Sequence, residues 1–208
     1  MEQAKWGTFR IGDLFDIGTG SLLSNDELVS GKIPRISAKS DNNGVLGYFS
    51  TEGNDCARHF NNFISVNFFG SDGGIFYHPY TASVEMKVHT LKMKNHIFNR
   101  STALFIASKL KSVLGGFSYG NQLSSSKLKN LNFQISLPIT EEGEIDFPFM
   151  ESFIKALEAE RIKKLEDYLI STGLSHYQLT PKEEKVLDIF TKNMQRGGGG
   201  RNAYRLVA

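Results

Sequence analysis

The chain has 208 residues, 40% of them hydrophobic and 22% charged, which suits a globular protein with one cored domain and an appendage. A formal net charge of +2 is too mild to predict a nucleic-acid partner by itself, so any basic face has to be local. No disulfide framework or four-ligand zinc site can be built on the single cysteine, Cys56; there is no apolar signal core and no run suited to a bilayer, so a cytoplasmic protein without a membrane partner is expected.

From the N-terminus, Trp6, Phe9, Ile11, Leu14, Phe15 and Ile17 predict a short strand and one turn of helix, broken by Gly18-Thr19-Gly20. Ser24, Asn25 and Asp26 are capping residue types and predict a short helix into Leu28 and Val29. Lys32 to Ser37 reads as a strand running into a polar loop, with Pro34 arguing for an edge or a strand start. Residues 39–44, KSDNNG, read as a turn. The runs VLGYF, NFISVNFF, GIFYH and SVEMKVHTLKM are β-branched and aromatic, with Gly, Asn or Pro between them, and predict a head of several short strands. Gly70, Gly73 and Gly74 read as a hairpin turn.

The period changes at 100–114. Leu104, Ile106, Ala107, Leu110, Val113 and Leu114 sit at helical spacing, Ser101 or Thr102 can cap, and Gly115-Gly116 ends the helix. A polar, basic loop follows, then a strand at Leu131–Leu137 and an acidic turn.

A long amphipathic helix is predicted from about Phe147 to Ser171. Met150, Ile154, Leu157, Arg161, Leu165 and Tyr168 mark one stripe, widened by Phe153, Ile162 and Leu169. About 25 residues at 1.5 Å each span roughly 37 Å, so part of the stripe is expected to pack on another helix. Gly173 is placed to end it. Thr180-Pro181-Lys182-Glu183 has the cap, first-turn proline and third-position acid of a new helix, reaching about Met194. The expected fold class is α+β, with a small twisted sheet in the head and the long helix forming a helical hairpin or coiled coil. The expected divisions are a head at 1–146, a helical region at 147–194 and a flexible tail at 195–208.

Five segments, in order, resemble one family. WGTFRIGDLFDIGTG, GKIPRISAKSDNNGVLGY, FISVNFFGSDGGIFYHPYTAS, FSYGNQLSSSKLKNLNFQISLP with GEIDFPFMESFIKALE, and YLISTGLSHYQLTPKEEKVLD are similar to a recognition domain, its spacer helix and the connector in the specificity subunit of Type I restriction–modification systems. The resemblance covers about residues 5–190. It implies a non-catalytic reader of double-stranded DNA whose loops enter the major groove at one half of a split target. It also implies spacer helices that bind methyltransferase subunits, a restriction subunit as a possible further partner, and no cofactor on this chain, S-adenosylmethionine belonging to the methyltransferase. A full subunit of that family has two recognition domains and two spacers, whereas one of each is legible here. The expectation is either a half-subunit, which would pair with itself through its helix and read an interrupted palindrome, or a truncated product.

Reading DNA needs amides and guanidinium groups for base edges, with cations and hydroxyls for phosphates. Arg35, Ser37, Lys39, Ser40, Asn42 and Asn43 offer these in one segment, and Tyr119, Asn121, Gln122, Ser124, Lys127 and Lys129 in another. Either segment could equally be a solvated turn. Tyr77 and Lys92 are further candidates, with core packing the plainer role for the tyrosine. The partner-helix candidates are Met150, Phe153, Ile154, Leu157, Arg161, Leu165 and Tyr168. Two rivals remain. Asp72, Glu85 and Lys87 can be written D-x12-E-x-K, a loose form of a Mg²⁺-dependent nuclease core. A protein-interaction adaptor would use the long helix alone.

Overall fold

The computed structural model describes residues 4–118, 120–130, 133–174 and 178–196. The chain divides into two units, Met1–Ala156 and Leu157–Ala208. The first begins with β1 (Lys5–Arg10), the single turn α1 (Ile11–Leu14) and β2 (Phe15–Thr19). Next come β3 (Ser30–Ile36), β4 (Val45–Phe49), β5 (His59–Phe60), β6 (Phe63–Asn67), β7 (Ile75–His78), β8 (Ala82–Val84) and β9 (Val88–Met93). The helices α2 (Arg100–Val113) and α3 (Ser125–Asn130) precede β10 (Gln134–Ile139). The unit boundary falls inside α4 (Phe147–Ser171), and α5 (Pro181–Arg196) belongs to the second unit.

Among the described residues the strands form three small sheets rather than one. β1 pairs with β10, a second sheet has the order β2-β9-β6-β7, and a third β4-β3-β8-β5. Every pairing is antiparallel except β3 with β8. The run SVEMKVHTLKM, expected as one strand, breaks into β8 and β9, and its halves serve different sheets. The break spans Glu85 to Lys87, where Ser21 bridges Glu85 and the Phe68 N–H bonds the Lys87 carbonyl at 3.0 Å. β2 was not expected. Its five residues run against β9 from Phe15↔Met93 to Thr19↔His89, so Gly18 lies inside a ladder rather than after it. β3 is an interior strand, yet Pro34 sits before the parallel ladder, which begins at Arg35↔Ser83. A residue without an N–H is tolerated there because no partner lies on that side.

The main core gathers Phe15, Ile64, Val66, Ile75 and Leu91 from the second sheet, Ala103, Ile106 and Leu110 from α2, and Ile135 and Leu137 from β10. The spacing of the α2 residues puts one helical face on the sheet, as the sequence period requires. The cap of α2 is Asn99, not Ser101 or Thr102. The Asn99 side chain accepts from the Thr102 N–H at 3.0 Å, and the Asn99 N–H donates to the Thr102 hydroxyl at 3.1 Å, a reciprocal box. A smaller core under the third sheet holds Ile36, Val45, Phe63, Ala82, Val84 and Val88.

Helix α4 has the expected bounds. Asp146 caps it by accepting from the Phe149 N–H at 2.9 Å. Its first turns belong to the head: Met150 is fully buried, Ile154 is 8% exposed, and both lie in the main core. In the second unit, Gly173 takes φ +72 after the last turn of α4, the left-handed geometry glycine adopts readily. Thr180 and Glu183 exchange hydrogen bonds at the start of α5, as the sequence predicts. The first two residues of the strand expected at 131–137, and the tail from residue 197, lie outside the described residues.

Candidate nucleic-acid interface

Three loops meet where β6 leaves its sheet and β9 enters it. The first, residues 37–44, makes a tight reversal in which Asn42, Asn43 and Gly44 all have positive φ, at 46, 50 and 76. Asparagine and glycine are the residues that adopt this conformation at least cost, which is why Asn-Asn-Gly stands here. The reversal is held by bonds from the Ser37 N–H to the Gly44 carbonyl and from the Gly44 N–H to the Asp41 carbonyl, both 2.9 Å.

The second loop, 67–74, turns β6 into β7, as the glycines predict. Asn67 organises it from within, accepting from the Phe69 N–H at 2.7 Å and donating to the Gly73 carbonyl. Gly70, at φ +62, lies so close to the Leu114 carbonyl that a Cβ would collide with it. The first two loops line one cavity of about 440 Å³, formed by Ala38 to Asp41, Asn67, Phe69, Asp72, Gly73 and Phe117.

The third loop includes 120–127. The Leu123 N–H bonds the Phe68 carbonyl at 2.7 Å, docking this loop on the second. His89, fully buried, receives it from below. Its ring stacks on Phe68 at 4.5 Å, and Nε2 lies 2.7 Å from the Leu123 carbonyl. A carbonyl only accepts, so Nε2 carries the proton. Burial lowers the His89 pKa and Lys129 adds to this, while the bond to Leu123 opposes it. Ser124 caps the unexpected short helix α3 by accepting from the Lys127 N–H at 3.2 Å.

The sequence candidates are distributed unevenly over this surface. Asn42, Asn43, Ser40 and Asn121 are exposed on it, and Lys39, Gln122 and Ser124 are half-buried. Lys39 is paired with Asp41 at 3.2 Å. Lys127 folds back on its own loop, 2.7 Å from the Asn121 side-chain oxygen and 2.9 Å from the Gln122 carbonyl. Tyr119 lies outside the described residues.

Two candidates, Arg35 and Ser37, are corrected because both are buried. Arg35 is 2% exposed, with its guanidinium donating to Ser83 Oγ at 2.7 Å and the Ser21 carbonyl at 2.8 Å; it braces the third sheet and presents nothing to a ligand. Burial lowers its pKa, against the attraction of Glu85 and Glu27. Ser37 is likewise buried at the loop's base. Tyr77 is half-buried, edge-on to Phe98, and its hydroxyl donates to the Phe98 carbonyl at 3.3 Å. Lys92 is exposed at the opposite end of β9, in a groove with Asp16, Asn61, Asn62 and His96.

The helix candidates split in the same way. Met150 and Ile154 are core, and Phe153 packs against that core with its ring edge-on to Phe105 at 5.6 Å. Leu157 is 39% exposed, Leu165 57% and Tyr168 59%, with Arg161 exposed among them. His89, Phe68 and Asn67 were not anticipated; each lies within a β-like run of the sequence, and only the loops packed against them give them a role.

The D-x12-E-x-K pattern does not keep its expected context. Glu85 and Lys87 fall in the break between β8 and β9, so the i, i+2 alternation of a strand does not align them. The Glu85 carboxylate accepts from the Ala38 N–H at 3.3 Å. Among the described residues no three His, Cys, Asp or Glu side chains are grouped to hold a metal ion, and no described helix is long and apolar enough to cross a membrane.

The fold is a small-sheet scaffold that sets three polar loops side by side, followed by one long helix. The family model for the Type I restriction modification DNA specificity domain matches residues 3–167, and the chain belongs to that family. It is 30% identical over 158 residues to S.BcgI, the specificity subunit of a Type II restriction enzyme from Heyndrickxia coagulans, covering 76% of this chain and 45% of that protein. It is 28% identical over 183 residues to a putative type I specificity subunit of Mycoplasma pneumoniae, covering 86% of this chain and 48% of the relative. The fold is similar to the S subunit of a Type I restriction–modification system from M. genitalium, with a TM-score of 0.56 at 17% identity over 93% of this chain and 46% of the other. The HsdS subunit of Thermoanaerobacter tengcongensis gives 0.53 at 12% identity, again over 93% and 46%. The chain thus spans about half the length of the relatives it matches.

Proposed function

We propose that this chain is a non-catalytic DNA sequence-recognition subunit of a restriction–modification complex, reading one half of a bipartite target. The observation that carries the reading is the meeting of loops 37–44, 67–74 and 120–127 on a chain of this family. Exposed amides at Asn42, Asn43 and Asn121 suit base edges, and Ser40, Ser124 and Lys127 suit phosphates. Methyl transfer and S-adenosylmethionine belong to a methyltransferase subunit, and cleavage to a restriction subunit where one joins.

The exposed apolar positions of α4, Leu157, Ile162, Leu165 and Tyr168, supply the contact for partners. Isologous pairing of α4 with the same helix in a second copy buries this stripe and gives a two-fold reader of an interrupted palindrome. The test is binding and methylation of a duplex library of randomised sequence, by the chain with and without its neighbouring methyltransferase subunit. Enrichment of one split motif, with affinity falling steeply with salt, is the expected result. A chain that enriches nothing and shows no salt dependence refutes DNA recognition and leaves the adaptor reading. Cutting with Mg²⁺ that stops in Asp72→Ala favours the nuclease.

A further inference from the structure

Beside the three loops runs a groove between β7 and α2, with a volume of about 680 Å³. Asn43 stands at its head, and Phe76, Tyr77, Pro79 and Tyr80 form its β7 side. Its helical wall is the stripe Arg100, Leu104, Ser108 and Lys111, spaced at four, four and three residues along one face of α2. All four are exposed, while the opposite face of the helix, with Ile106 and Leu110, is core.

The charge of this groove sets it apart. Among the described residues its lining includes Arg100 and Lys111 and no carboxylate. The loop cavity described above contains Asp41 and Asp72. A groove beside β1 contains Glu141, Glu142 and Asp146, that around Lys92 contains Asp16, and that along α5 contains Glu183. The Lys111 ammonium lies 6.0 Å from the Phe76 ring, so the aromatic floor holds the cation at the groove without neutralising it.

We infer that the β7–α2 groove carries the phosphodiester backbone of one DNA strand, with Lys111 as a phosphate anchor beside the reading loop 37–44. The inference rests on the DNA-recognition reading and deepens it. Eleven residues of helix separate Arg100 from Lys111, roughly 16 Å. One strand of B-DNA presents a phosphate about every 3.4 Å along its axis, so the stripe faces four or five of them. Continuity through Asn43 gives the groove its meaning: a strand whose bases meet the loop continues along a wall that presents the Lys111 ammonium. Such contacts fix orientation and register and carry no sequence information.

The test is the salt dependence of binding by the full chain to duplexes of randomised sequence and to the motif they enrich. In Lys111→Gln the slope of log K against log salt falls by about 0.9 on both duplexes, and the ratio between the two affinities is unchanged. Ser108→Glu, which adds an acid without removing a cation, weakens both by a common factor. Lys109→Gln is the matched control, because the Lys109 ammonium lies over Trp6, 4.3 Å from its ring, and does not line the groove; its slope equals the wild type's. An unchanged slope in Lys111→Gln overturns the inference while leaving DNA recognition standing. So does a loss of methyltransferase binding in Lys111→Gln with its DNA slope intact, which makes the groove a protein contact. A wild-type chain without salt-dependent binding overturns both.

Discussion

Lowering the pH should destabilise the head through His78, and by an amount its surroundings set. His78 is fully buried, its Nε2 is 2.9 Å from Ser65 Oγ, its Nδ1 is 3.2 Å from the Tyr80 hydroxyl, and its ring lies 4.9 Å from that of Phe63. Burial without an acid beside it lowers its pKa from 6.5 to about 4. The unfolded chain therefore binds a proton that the folded chain refuses. The stabilisation is complete above the unfolded value and is lost as pH falls from there toward the folded one. Each pH unit between the two values is worth about 1.4 kcal/mol. Integrated from pH 8 to pH 5, above most carboxylate titration, the loss is about 2 kcal/mol. His89 acts with the same sign, so the comparison has to be with His78→Gln, which retains His89. Urea unfolding followed by Trp6, the single tryptophan and a residue of the head, reads the effect at fixed protein concentration. The stability advantage of wild type over His78→Gln should shrink by about 2 kcal/mol between pH 8 and pH 5. An advantage equal at both pH values would refute the argument that burial holds this imidazole neutral.

Leu165→Glu puts a charge into the exposed apolar stripe of α4 and should abolish self-association in sedimentation while leaving the Trp6 unfolding curve in place; a variant that stays dimeric removes α4 as the pairing surface. Leu110→Ala opens a cavity where α2 meets the main core and should cost about 2–5 kcal/mol in urea unfolding. Asn99→Ala removes the α2 cap and its bond to Glu151 at 2.6 Å, and should cost about 1 kcal/mol with early hydrogen exchange confined to the first turn of α2.

Much of the architecture follows from local chemistry. The bounds of α4, the Thr180 box of α5, the Asn-Asn-Gly reversal and the glycine hairpin are each determined within a few residues, by side-chain period, capping oxygen or tolerance of positive φ. The five ordered segments led to the family for the same reason, since loop and turn residues are constrained where they stand. Contacts distant in sequence were not legible. Arg35 and Lys39 look alike as members of a basic loop, and only the Ser21 carbonyl and Ser83, brought by other strands, take one of them inside.

For this protein the sequence by itself determined most of the elements, β2 and α3 excepted, the order of head and helix, and the types of polar residue in the loops, because these depend on neighbours along the chain. The tertiary structure alone decided that SVEMKVHTLKM serves two sheets, that His89 and Phe68 join the second loop to the third, and that α4 gives its first turns to the head. The same pattern of apolar residues fits burial in one's own core and burial against a partner. Only the position of the surrounding elements separates Met150, enclosed by the head, from Leu165, left exposed.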